Sequence, residues 1–201
     1  MHVSILLYDG FDELDAVAPF EVFQNAGAFG SDCTARLVAL DDRDTVTASH
    51  GMRVGIDGVL DPDADDPDLL VVPGGGWNSR AEESAWAEAE KGDIPEAIAT
   101  LHESGTTVAG VCTGGMLLSR AGILDGRPAV THGDALDDLR ATDADVVSAR
   151  VVDDGDVLTA GGVTSGLDLS LHVVEREFGS DVANRVAREI EYERRTTPFE
   201  G

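Results

Sequence analysis

Two stretches of the sequence, "DLLVVPGGG" at 68–76 and "TTVAGVCTGG" at 106–115, pass from apolar residues directly into glycines. A strand with one wet face alternates apolar and polar residues. A run without that alternation suits a strand covered on both faces, and the glycines suit the tight loop into which it empties. Strands covered on both faces belong to parallel sheets, whose crossover helices pack on the sheet. That requirement constrains the chain to an α/β design.

The rest of the chain fits the same alternation. "HVSILLY" reads as a first strand, followed by a mainly apolar helix around 14–23 that ends near Gly27, and "TARLVAL" as a second strand. Helical stretches are predicted at about 81–90 and 95–104, and another over "GGMLLSRAG". "SARVVDDGDVLTA" predicts a hairpin turning at Asp154-Gly155, and "GLDLSLHVVEREFG" and "DVANRVAREIEYE" predict closing amphipathic helices. The expectation is a three-layer α/β sandwich with a mostly parallel sheet, in one domain over 1–201. In such sheets ligands bind beyond the carboxyl ends of the strands. Cys112, the Gly74–Gly76 loop and the residues after "LLY" all fall at that edge. The phosphate-loop pattern ending in Gly-Lys-Ser/Thr is absent, and "GGG" alone is a weak nucleotide signal.

Acidic residues number 39 against 14 basic ones, with Lys91 the only lysine, for a formal net charge of -25. Such a surface repels phosphate and anionic lipid, which argues against nucleic-acid and membrane partners. With no basic leader and no apolar run near bilayer length, the chain is expected to be soluble and cytoplasmic. The acidity is spread through "LDDRD", "DPDADDPD", "LDDLRATDAD" and "VVDDGD", which points to a whole-surface adaptation to concentrated salt. Cys33 and Cys112 form no CxxC and are expected to stay reduced, with Cys33 packed as a small hydrophobe.

Cys112 stands where a buried strand turns into a helix. Such a turn lifts a side chain out of the sheet, and the first helical turn offers free N–H groups and a positive dipole end that favour the nucleophilic thiolate. The N–H of Gly114 and one from Gly75 or Gly76 are candidates to cradle an oxyanion. The bland alternative is a buried cysteine that merely ends a strand.

Five segments in order, "LLYDGFDELDAVAPFEVF", "DLLVVPGGGW", "VAGVCTGGMLLSRAGILDGRPAVTH", "VLTAGGVTSGLDLSLHVVEREFG" and "VANRVAREIEYE", resemble the DJ-1/PfpI superfamily. Within it the chain is similar to the isonitrile hydratase branch, itself related to sensor domains of AraC-type regulators. The resemblance implies a flavodoxin-like fold akin to class I glutamine amidotransferases, a homodimer, no cofactor and a nucleophile-elbow cysteine. It places the nucleophile at Cys112, a hydroxyl partner at Thr113, a carboxylate acid/base at Asp15 and a pocket histidine at His132. In that chemistry the isonitrile carbon accepts the thiolate while its neighbour is protonated, and activated water then releases an N-substituted formamide. For Asp15 the alternative is a helix cap or a solvent-facing side chain.

The sequence also departs from the family. Thr113 stands where protease-like and deglycase-like branches place His, Gly133 where hydratase-like members carry an aromatic, and Ala18 where a glycine is frequent. The remaining histidines are scattered, so no metal site is expected. Trp77 reads as either a pocket-mouth residue or packing. The leading expectation is thus a cofactor-free cysteine hydratase or lyase on a small molecule. A ligand or redox sensor and a glyoxalase or deglycase-like enzyme are the alternatives. If the acidity is a salt adaptation, the thermal unfolding midpoint rises between low and molar potassium chloride, as counterions screen the self-repulsion. A level or falling midpoint overturns that reading.

Overall fold

The computed structural model describes residues 1–195 and 197–201. In chain order the elements are β1 (His2–Leu6), α1 (Glu13–Ala28), β2 (Thr34–Ala39), β3 (Thr45–Thr47), β4 (Arg53–Gly55), β5 (Gly58–Val59), β6 (Leu69–Val72), α2 (Ala85–Lys91) and α3 (Asp93–Glu103). Then come β7 (Thr107–Val111), α4 (Gly114–Arg120), β8 (Pro128–Ala129), a 3-10 turn (Gly133–Ala135), α5 (Leu136–Arg140), β9 (Asp145–Val146), β10 (Val151–Asp153), β11 (Val157–Ala160), α6 (Ser165–Phe178), α7 (Ser180–Glu189) and β12 (Phe199–Glu200).

One eight-stranded sheet, ordered β12-β10-β11-β7-β6-β1-β2-β5, runs through the middle. All its pairings are parallel except the β10–β11 hairpin. The register aligns Leu37, Ile5, Val71, Ala109 and Leu158 in one row across five strands. Every residue of β6 is buried, as its unbroken apolar run requires. Helices α1, α6 and α7 pack together on one side, and α2, α3 and α4 on the other. The expected mostly parallel three-layer sandwich is therefore present.

Local departures have local causes. The helix expected from 81 begins at Ala85, because Ser84 caps it and accepts the Ala87 N–H at 3.2 Å. The last helix stops at Glu189 and does not run through "EYE". The β3–β4 hairpin was not legible, since its three-residue strands carry one apolar residue each, Val46 and Val54. Among the described residues no helix is long and apolar enough to cross a membrane.

Asp168, 2% exposed on α6, ties the carboxyl-terminal segment down. It accepts hydrogen bonds from Arg150 Nε, from the Tyr192 hydroxyl at 2.8 Å and from the Arg195 N–H at 3.1 Å. Asp168→Ala leaves the partly exposed Arg150 guanidinium without its counter-charge and strips the other two donors of an acceptor. We expect a loss of about 3 kcal/mol, the low end for a broken buried pair because Arg150 is partly exposed. A urea midpoint within error of wild type contradicts this.

Candidate active site

Cys112, the first residue past β7, has φ +56°, a left-handed conformation that costs a β-carbon-bearing residue roughly 1–2 kcal/mol. Its neighbours fix it there. The Cys112 N–H donates to Ala160 O at 3.1 Å, and its carbonyl accepts the Thr131 hydroxyl at 2.9 Å and the Gly115 N–H at 3.3 Å. Glycine is needed around the turn because backbones touch: a β-carbon on Gly114 would lie 2.0 Å from Val72 O, and one on Gly74 2.4 Å from Thr113 Oγ1. The glycine loop thus lies directly against the elbow.

Asp15 is 0% exposed. The cap of α1 is Asp12, whose Oδ1 accepts the Leu14 N–H at 3.2 Å, so Asp15 is neither helix cap nor surface aspartate. Its Oδ2 accepts the Gly74 N–H at 3.0 Å, while Oδ1 has no hydrogen-bond partner among the described residues. Burial, reinforced by the charge of Asp12, pushes this carboxyl well above the usual carboxylate range, against the opposing pull of the Gly74 N–H and the Cys112 thiol. Burial and then the charge of Asp15 push the Cys112 thiol up as well, against the Thr113 N–H. The thiol proton favours the Asp15 carboxylate while that charge disfavours the thiolate, so the two adjacent buried acids titrate as one system, and at neutral pH the pair retains a proton.

These facts correct two expectations. The turn does not lift the thiol clear of its surroundings, since Cys112 is only 5% exposed, close to the 4% of Cys33. Nor does the start of α4 make the thiolate the resting form, because desolvation outweighs the N–H groups there. Cys33, pushed up to about 11 by burial, is a packed hydrophobe as expected.

Thr113 is buried beside Cys112, and its Oγ1 accepts the Gly75 N–H at 2.9 Å. The Gly75 amide is therefore already committed to Thr113 and is not free for an oxyanion. The Gly76 and Gly114 amides donate to no acceptor among the described residues. His132 caps the 3-10 turn, accepts the Asp134 N–H at 3.2 Å, and makes no hydrogen bond to Cys112 or Asp15. Its ring lies by the β11–α6 turn, 3.4 Å from where a β-carbon on Gly162 would stand.

Sequence reasoning missed Tyr8 and Thr131. Tyr8 is buried, donates to Pro73 O at 2.8 Å and lies within electrostatic reach of Asp15 and Cys112. Thr131 holds the cysteine carbonyl. Only their placement at strand ends, after "LL" and before His132, hinted at either. Beside the elbow a cavity of about 840 Å³ is walled by residues including Thr131, Gly133, Gly161, Gly162 and Ser165, but not by Cys112. Folding also brings Asp12, Glu13 and His50 to metal-ligand spacing, which the scattered histidines did not suggest. Glu13 there already accepts the His50 N–H at 2.8 Å and pairs with His50 Nδ1 at 2.7 Å.

Known proteins are similar to this chain in sequence or in fold. Isonitrile hydratase of Pseudomonas putida is 30% identical over 193 residues, covering 96% of this chain and 78% of that protein. Deglycase TK1284 of Thermococcus kodakarensis is 33% identical over 158 residues, covering 77% and 86%. The solved structure of an AraC family transcriptional regulator from Pseudomonas putida superposes with a TM-score of 0.81 at 22% identity, covering 94% of this chain and 98% of that one. Residues 1–176 match the DJ-1/PfpI family. On that match, and on relatives aligned over most of its length, the chain belongs to the DJ-1/PfpI family.

Proposed function

We propose that the protein hydrates small isonitriles to N-substituted formamides, with Cys112 as nucleophile and Asp15 as acid and base. The observation that carries this reading is the Asp15 carboxyl: fully buried, fixed through one oxygen by the Gly74 N–H, and unpartnered at the other beside the thiol. The proton retained by the pair is the one the reaction needs. The sulfur adds to the isonitrile carbon, and the electron pair this leaves lies on that same carbon. The carbon takes the proton, giving a thioimidate, rather than the neighbouring nitrogen. Water then adds to the thioimidate carbon, one of its protons going to the Asp15 carboxylate and the other to the nitrogen, which leaves the added oxygen as an oxyanion whose collapse expels the sulfur. Carbon–sulfur cleavage releases the formamide, and the thiol–carboxyl pair recovers its single proton.

Other residues play supporting parts. Thr113 anchors the glycine loop through the Gly75 N–H, Gly76 and Gly114 offer uncommitted amides, and the His132 ring stands by Gly162, which walls the adjoining cavity. Thr113 in place of a histidine removes the Cys-His pair expected of a deglycase. A second reading, a ligand-binding module without turnover, draws support from the 5% exposure of Cys112, since a sensor needs no open path to sulfur. We also propose a homodimer through α1 and the β3–β4 hairpin. Leu14 at 38%, Val17 at 39% and Met52 at 39% are exposed there, and the Glu13–His50 contact holds the hairpin to the start of α1.

Formamide production from a panel of alkyl isonitriles, assayed at high salt, tests the chemistry. Cys112→Ser is expected to abolish it, and Asp15→Asn to lower kcat by about 10²- to 10⁴-fold with the fold retained. Wild-type turnover by Asp15→Asn removes the acid/base assignment. Ligand binding without product in the wild-type protein favours the sensor. For the assembly, Val17→Asp is expected to halve the mass measured by light scattering, and an unchanged dimer places the interface elsewhere.

A further inference from the structure

Both tryptophans of the chain, Trp77 and Trp86, line a single cavity of about 380 Å³ with Met116 of α4 at its wall. The Arg80 guanidinium lies over the Trp86 ring, 5.6 Å from its centroid. In a chain with 39 acidic residues, Arg80 forms no ion pair among the described residues and rests on an aromatic face instead. Arg80 itself adopts φ +49°, so the backbone accepts a disfavoured conformation where this side chain is presented.

The walls are chemically selective. Trp77 Nε1 donates to Asp138 Oδ2 at 2.7 Å, and Asp125 and Asp143 also line the cavity. Arg120, the other lining cation, is paired with Glu90. Three aspartates therefore face a single unpaired cation, Arg80. Indole faces attract cations through the ring quadrupole, and surrounding carboxylates add to that attraction while repelling anions. A neutral apolar guest gains only the rings.

We propose that this cavity binds a small organic cation, an alkylated ammonium group seated on Trp86, and that Arg80 is the resident cation which the ligand displaces. The site is separate from the cysteine chemistry, for neither Cys112 nor Asp15 lines it. Trp77 follows directly on the glycine loop and Met116 lies four residues beyond Cys112, so the ligand would sit behind the elbow helix.

The two tryptophans report on the site directly. Choline chloride is titrated against sodium chloride at constant ionic strength into the full chain, with intrinsic fluorescence as the readout. The uncharged isostere 3,3-dimethylbutan-1-ol serves as control. The expected result is a saturable change for choline at least about tenfold tighter than for the alcohol, in line with a cation held on an indole face. Arg80→Ala, an exposed position that leaves the core untouched, is expected to tighten choline binding at least about threefold by removing the internal competitor. Trp86→Leu is expected to lose the saturable phase, with Trp77 fluorescence reporting that the variant is folded. Cys112→Ser is expected to bind as wild type, which separates this proposal from the hydratase reading. Equal affinity for the neutral isostere, no saturable response to choline, or weaker binding by Arg80→Ala each overturns it.

Discussion

The site depends on one strained peptide unit. Cys112 holds a left-handed backbone that a residue with a β-carbon leaves readily unless its surroundings prevent it. Three hydrogen bonds do so: one from its N–H to β11 and two into its carbonyl, from Thr131 and Gly115. The strand order puts β11 next to β7, which supplies the first, and the segment after β8 supplies Thr131. The large sheet, the segment after β8 and the first turn of α4 thus together keep one cysteine in a conformation it would not choose.

Strain also explains the crowding of glycines. The chain leaves β6 and β7 side by side, and both exits bend within the same few ångströms. Thr113 Oγ1 and the Thr113 and Gly114 amide nitrogens fill the space a β-carbon at Gly74 would need, and the Val72 and Pro73 backbone fills it at Gly114. With the loops so close, the Gly74 and Gly75 amides find acceptors in Asp15 and Thr113. Those bonds join α1, the β6 loop and the elbow into one unit, so the candidate acid and nucleophile are positioned by the same contacts that satisfy the loop backbone.

Much of this was legible in the sequence because it rests on strong local signals. The unbroken apolar runs marked β6 and β7, the Asp-Gly turn marked the β10–β11 hairpin, and Cys112 stood out by its place between a strand and a helix. What escaped notice depends on distant residues meeting. Nothing local shows that Asp15 is completely buried, since a lone aspartate in so acidic a chain has many exposed counterparts. The same is true of the thiol: a helix start argues for thiolate, and only the packing around the elbow shows that desolvation outweighs it. The partners of Tyr8 and Thr131, a carbonyl on another loop and the cysteine carbonyl, carry no sequence mark at all.

The outermost strands have a bearing on life at high charge. Both edges of the large sheet end in strands of two residues, β5 and β12. An edge that short offers another chain almost no ladder to extend. At low ionic strength a net charge of -25 would keep molecules apart without such help. In molar salt the screening length shrinks to about 3 Å, and repulsion between surfaces no longer guards against sheet-to-sheet association. Truncated edges work at any salt concentration. For a molecule this acidic, resistance to aggregation then becomes a matter of backbone geometry, with electrostatics reduced to a contact-range effect.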